Sequence, residues 1–140
     1  MSKKILIIDD EEDFRSITSV SLEHNGYMTE TARNGKEGIG AYLASIYTNA
    51  PIDLILLDIR MPVLSGLEVL DIIRREERDR GVGPGREVPI IVLTAYYEPW
   101  MNPLITKGGT DYIVKSPSDY ELFRKIEERL SDNKDKAGGS

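Results

Sequence analysis

Cysteine is absent from the 140 residues, and histidine occurs once, as His24. Without thiols the chain can build neither a disulfide framework nor a thiolate metal site, and a reducing compartment is expected. The same shortage disfavours zinc and other metals that take soft ligands. No apolar run approaches the roughly 20 residues that span a bilayer. The N-terminus passes from "MSKK" straight into "ILIIDD", with neither the apolar region nor the cleavage site of a signal peptide. A cytoplasmic location without membrane association is expected. Positive charge is also in deficit: 18 Lys and Arg stand against 24 Asp and Glu, a net charge of −6. A nucleic-acid-binding domain usually shows a basic patch, so direct nucleic-acid binding is not expected. Nucleotide fingerprints are missing too, since no G-x-G-x-x-G follows the first apolar run and no G-K-[ST] occurs.

What is present is an alternation of short apolar runs with longer segments of helical period, enough for one globular domain. "KILIIDD" (4–10) is a first strand, and "EDFRSITSVSLEHNG" a helix with Phe14, Ile17, Val20 or Ser21, and Leu22 on one face and Gly26 as its stop. "YMTETA" (27–32) is a weaker strand suited to a sheet edge. Asn34 caps a second helix that Gly38 and Gly40 weaken. "DLILLDI" is the third strand, "SGLEVLDIIRREER" an amphipathic helix, "VPIIVLTAY" (88–96) the fourth strand and "TDYIVK" (110–115) the fifth. "SDYELFRKIEERL" (118–130) closes the domain, with Leu122, Phe123, Ile126 and Leu130 inward and Ser118 as cap. The run "IRREER" (73–78), with two glutamates among its three arginines, reads as a solvated helix face. "GVGPGRE" (81–87) reads as a flexible surface loop, and 131–140 as a disordered tail or the start of a linker.

Strands alternating with helices pair in parallel through right-handed crossovers. The first, third and fourth strands are apolar almost throughout, as they must be when helices cover both faces. The expected fold is an α/β doubly wound open sandwich, and such folds bind ligands beyond the carboxyl ends of their strands.

Chemistry gathers at that edge. The first strand ends in Asp9-Asp10, the third in Asp58, the fourth in Thr94 and the fifth in Lys115. Carboxylates about 4 Å apart repel by roughly 4 kcal/mol per pair at an effective dielectric near 20, and a hard divalent cation such as Mg²⁺ or Mn²⁺ relieves this with oxygen ligands. An aspartate so placed can act as a nucleophile towards phosphorus. A lysine ammonium and a threonine hydroxyl would then steady the phosphoryl oxygens.

"ILIIDDEEDFR", "DLILLDIRMPVLSGLEVL", "PIIVLTAY" and "DYIVK" together resemble the receiver domain of two-component response regulators, over roughly residues 3–130. The resemblance implies a five-stranded parallel sheet in order 2-1-3-4-5 with five helices. It implies that Asp58 accepts a phosphoryl group from a phosphohistidine of a sensor histidine kinase or a histidine phosphotransfer protein. Asp9, Asp10, Asp58 and the backbone carbonyl of Arg60 would hold Mg²⁺, with Asp10 binding directly and Asp9 mainly through water. Lys115 would pair with Asp58 and then with the phosphoryl oxygens. Thr94 and Tyr112 would form the switch, changing the surface offered to a downstream protein or an output domain. Such a chain phosphorylates and slowly dephosphorylates itself as a switch, and is not a turnover enzyme.

Two features depart from the family pattern. Lys115 is followed by Ser116 and only then by Pro117, where receivers usually place proline directly after the lysine. A cis Lys115–Ser116 bond would cost about 2.5–4 kcal/mol, and a rearranged loop is the alternative. The segment 96–110 carries Pro99 and Pro103, so a fourth helix there should be short, displaced or mobile, with Trp100 as a core plug or a partner contact. Two other functions compete. A phosphohydrolase or phosphotransferase with an aspartyl intermediate would want a second acid two positions after the nucleophile, where Arg60 stands. A receiver-like interaction module that is never phosphorylated sits poorly with intact Asp10, Asp58, Thr94 and Lys115.

Overall fold

The computed structural model describes residues 2–95, 108, 110–115 and 117–138, with side chains through 131. In chain order the elements are β1 (Lys4–Ile8), α1 (Glu12–His24), β2 (Met28–Ala32), α2 (Gly35–Ser45), β3 (Leu54–Asp58), α3 (Gly66–Asp79), β4 (Ile90–Thr94), β5 (Asp111–Val114) and α4 (Asp119–Gly138). The five strands form one parallel sheet in the order β2-β1-β3-β4-β5, as expected. Residues 96–107, where the irregular helix was expected, and Ser116, on which the cis bond depends, lie outside the described residues, and so does Trp100. No helix among the described residues is long and apolar enough to cross a membrane.

Side chains of the central strands go alternately to two cores. Leu6, Ile8, Ile55, Leu57 and Ile90 pack with Tyr42 of α2 and with Val69, Leu70 and Ile73 of α3. Ile5, Ile7, Leu54, Leu56, Ile91, Leu93 and Ile113 pack on the other face with Leu22 of α1 and with Leu122 and Ile126 of α4. Ile5–Ile8 and Leu54–Leu57 are wholly buried. Each such side chain is worth about 1.5–3 kcal/mol, so the ends of β1 and β3 are held rigidly. Helix α2 comes close to β1 because Gly38 has no side chain; a Cβ there would lie 2.7 Å from Ile8 Cγ1. Its start is capped by Asn34, whose side chain accepts from Glu37 N–H at 2.8 Å. Ser65 and Glu68 form a reciprocal capping box at the start of α3.

Three expectations need correction. In α1 the inward stripe runs through Phe14, Thr18 and Leu22, while Ile17 and Val20 are 68% and 56% exposed. Spacing by four selects Thr18 over Ile17, so the helix is rotated from the phase its apolar residues suggest. Helix α4 continues past Leu130 to Gly138, because no glycine or proline interrupts "SDNKDKA" and a polar stretch can extend a helix already anchored by packing.

The run 73–78 is not simply a solvated face. Arg74 and Glu77 are buried and bond at 2.6 Å. Glu77 also accepts from Val88 N–H at 2.7 Å and from Tyr42 Oη at 3.3 Å, and Arg74 Nε donates to the Gly108 carbonyl at 2.7 Å. One ion pair thereby ties α2, α3, the entry to β4 and the approach to β5. The glycine-rich connection is likewise shaped by bonds, with Val82 N–H on Glu77 O and Arg86 N–H on Gly83 O. Removing one partner of a buried pair costs about 3–5 kcal/mol, whereas an apolar replacement of both can be neutral. Urea unfolding should therefore show Glu77→Ala losing about 3 kcal/mol or more, and Arg74→Leu/Glu77→Leu losing much less. Equal losses would mean that the pair itself holds the fold.

Candidate functional site

The parallel register puts the chemistry on one side of one edge. Asp9 and Lys115 each extend their strand by one ladder bond, Asp9 N–H to Ala32 O at 3.1 Å and Lys115 N–H to Thr94 O at 2.7 Å. With side chains alternating between faces, Asp9 follows Ile5 and Ile7, Asp58 follows Leu54 and Leu56, and Lys115 follows Ile113. All three project to the α1/α4 face. Asp10 completes the group: Asp9, Asp10 and Asp58 each offer a carboxylate oxygen within 4.8 Å of the others. Asp9 is fully buried, Asp58 nearly so, and Asp10 is exposed.

Lys115 bridges the acids. Its Nζ lies 2.7 Å from Asp9 Oδ2, 2.6 Å from Glu11 Oε1 and 3.5 Å from Asp58 Oδ2, and 4.8 Å from the centre of the Phe14 ring. Burial works against its ammonium, but contacts with Asp9 and Glu11 and the nearby Asp58 charge outweigh it and raise the amine to about 12. Burial lifts the Asp58 carboxyl from 3.8 to about 7, and the Asp9 charge pushes the same way. The Arg60 N–H, 3.1 Å from Asp58 Oδ1, and Lys115 oppose that shift, while a hydrogen bond with Asp10 adds to it. Asp9 is shaped by its own turn: Oδ1 accepts from Glu11 N–H at 2.9 Å, and its carbonyl accepts from Arg15 Nη1 at 2.8 Å. Its Oδ2 is buried and meets Lys115 as an ion contact without a well-directed hydrogen bond. A buried carboxylate oxygen whose ammonium partner is shared with two other acids, Glu11 and Asp58, suits a hard cation with oxygen ligands.

The remaining expected residues fall on the other face. Thr94 is buried at the end of β4, and Tyr112 stands opposite Val92 in β5, so both share the α2/α3 side of the sheet. The Tyr112 ring packs with Ile59, Val92 and Leu67. Lys125 Nζ donates to the Tyr112 carbonyl at 3.0 Å and lies 5.2 Å from the ring centre. For Arg60, the N–H on Asp58 is the contact that bears on the site.

Glu11, Arg15 and Gly66 were not anticipated. Glu11 is one of five acids in "DDEED", and nothing in such a run marks which one reaches across to β5. Gly66 starts α3 against the end of β3: a Cβ there would collide with the Asp58 carbonyl and lie 2.6 Å from Ile59 Cα. The glycine four residues after the "MP" pair was the available signal.

A family described as "Response regulator receiver domain" matches residues 5–127. The alkaline phosphatase synthesis transcriptional regulatory protein PhoP of Bacillus subtilis is 35% identical over 90% of this chain and 48% of its own length. The probable transcriptional regulator ycf27 of Cyanidium caldarium is 37% identical over 90% of the chain and 45% of its own length. The chain thus spans about half the length of these curated relatives. Among solved structures, response regulator TrrA of Thermotoga maritima, in complex with Mg²⁺ and BeF, superposes with a TM-score of 0.73 at 35% identity, covering 91% of this chain and 98% of that one. Chemotaxis protein CheY4 of Vibrio cholerae gives 0.78 at 26% identity, covering 91% and 98%.

The raised Asp58 carboxyl makes stability depend on pH with a definite sign. Between about pH 4 and 7 the unfolded chain has lost this proton and the folded chain keeps it, so the site lowers stability as pH rises, with the full penalty above 7. A carboxyl raised from 3.8 to about 7 sets an upper bound of ~4 kcal/mol on that penalty. In urea unfolding, Asp58→Asn should stabilise the protein more at pH 8 than at pH 5, and Mg²⁺ should shrink the difference at pH 8. A gain independent of pH would remove the repulsion from the account.

Proposed function

The chain belongs to the response regulator receiver domain family of two-component signalling, and we propose that Asp58 is its phosphoryl acceptor. The observation that supports this most is the gathering of two further carboxylates and one lysine around a buried aspartate at the end of the central strand. An Asp58 carboxylate oxygen attacks phosphorus and forms a P–O bond. The P–N bond to the donor histidine breaks, and the imidazole leaves with that electron pair and takes a proton. Rigid burial of β3 keeps the oxygen in line for attack. Lys115 would follow charge onto the phosphoryl oxygens, and the Thr94 hydroxyl would donate to another. Asp9, Asp10, Asp58 and the Arg60 carbonyl would hold Mg²⁺ or Mn²⁺. Bound there, the ion would neutralise the acids and the oxygens of the incoming group.

The product is a switch and not a turnover catalyst. Phosphorylation adds up to two negative charges and new acceptor oxygens to the edge of the sheet. Thr94 and Tyr112 lie two strand positions apart on one face, which suits coupled movement of hydroxyl and ring. The domain spans 3–130, with 131–140 leading on from it, and works in the cytoplasm. Its partners are a sensor histidine kinase or phosphotransfer protein and a downstream target or output domain. Exposed Ile17 on α1, which lines the same surface pocket as Glu11 and Lys115, suits the partner that delivers phosphate.

Incubation with Mg²⁺ and acetyl phosphate should produce a single phosphoryl adduct by intact mass. Asp58→Asn or chelation of the metal should abolish it. Labelling of Asp58→Asn at the wild-type rate would overturn the assignment.

A further inference from the structure

Lys115 is shared unequally. Its ammonium has three N–H donors, and the two short contacts go to Glu11 at 2.6 Å and Asp9 at 2.7 Å. Asp58, at 3.5 Å, lies beyond good hydrogen-bond distance. The Phe14 ring covers the ammonium from α1, so the lysine is drawn towards the loop between β1 and α1 and away from the acceptor.

Asp9 has no freedom in this, being fully buried, but the Glu11 side chain is 64% exposed, and packing does not force it over the lysine. Glu11 also sits at the N-cap of α1 without capping it, since its side chain accepts no helix N–H. The Glu11 N–H is fixed on Asp9 Oδ1, and from that turn the carboxylate reaches across to the residue after β5. An exposed acid that forgoes a cap to hold the site's lysine has a positional effect on whatever that lysine does.

We propose that Glu11 is a positioning residue that competes with Asp58 and its phosphoryl group for Lys115, and so slows phosphoryl uptake. The inference rests on Asp58 being the acceptor. With acetyl phosphate, the Asp58 oxygen forms a bond to phosphorus, the bond from phosphorus to the acetate oxygen breaks, and acetate leaves with the electron pair. As charge builds on the phosphoryl oxygens, the ammonium has to leave Glu11 to meet them. An exposed ion pair is weak, and its loss corresponds to a rate change of about two- to fivefold.

The test compares wild type, Glu11→Gln and Asp58→Asn with Mg²⁺ and two small donors of different charge, acetyl phosphate and phosphoramidate. Thermal melting confirms that each variant is folded. Glu11→Gln should take up phosphate about two- to fivefold faster, by the same factor with both donors, because the freed lysine serves either. An unchanged or slower rate overturns the inference. So does an acceleration that grows with donor charge, which would mean that Glu11 merely repels anions. Equal labelling of wild type and Asp58→Asn sinks the acceptor assignment, and the inference with it. Labelling confined to Asp58 with no effect of Glu11→Gln sinks the inference alone.

Discussion

Everything at the carboxyl edge follows from like charges that the sheet will not let separate. β1 and β3 are direct neighbours, with Ile8 beside Leu57, so the acids that end them are brought together by the same ladder that builds the core. The residues leading to both are wholly buried, and moving either carboxylate away would mean breaking that packing. The repulsion is therefore kept, and shows as an Asp58 carboxyl raised to about 7 by burial and by Asp9. Lys115, delivered two strands away by β5, offsets only part of it. A site in this state favours any ligand that adds positive charge between the acids.

The molecule holds a second buried polar cluster that behaves in the opposite way. Around Glu77, both carboxylate oxygens are matched, by Arg74 on one side and by Val88 N–H and Tyr42 on the other. That cluster is closed and ties elements together. Around Asp9, one buried oxygen has only an ion contact, and the neighbouring lysine is divided among three acids. Buried polar groups that are fully paired fix structure, while those left partly unsatisfied mark where a ligand belongs.

Much of this was legible in the chain. Continuous apolar runs identified the buried strands, and their order of alternation with helices implied the parallel sheet. Asp9, Asp10, Asp58 and Lys115 could be picked out because each directly follows such a run, and strand ends share an edge in this fold. What remained hidden were pairings between distant elements. Arg74 and Glu77 look like any charged helix face until Val88 and Gly108 are brought against them. Glu11 is indistinguishable from its acidic neighbours until β5 arrives. The phase of α1 was missed because Thr18, a polar residue, takes the inward place that Ile17 seemed to claim.

Asp58 is held against other acids in a state that a divalent ion would relieve. The most direct measurement is the ¹³C shift of the Asp58 carboxyl followed through a pH titration, with and without Mg²⁺. In metal-free protein the midpoint should lie near 7, moving well down when the ion is added. A midpoint near 4 in both conditions would contradict it.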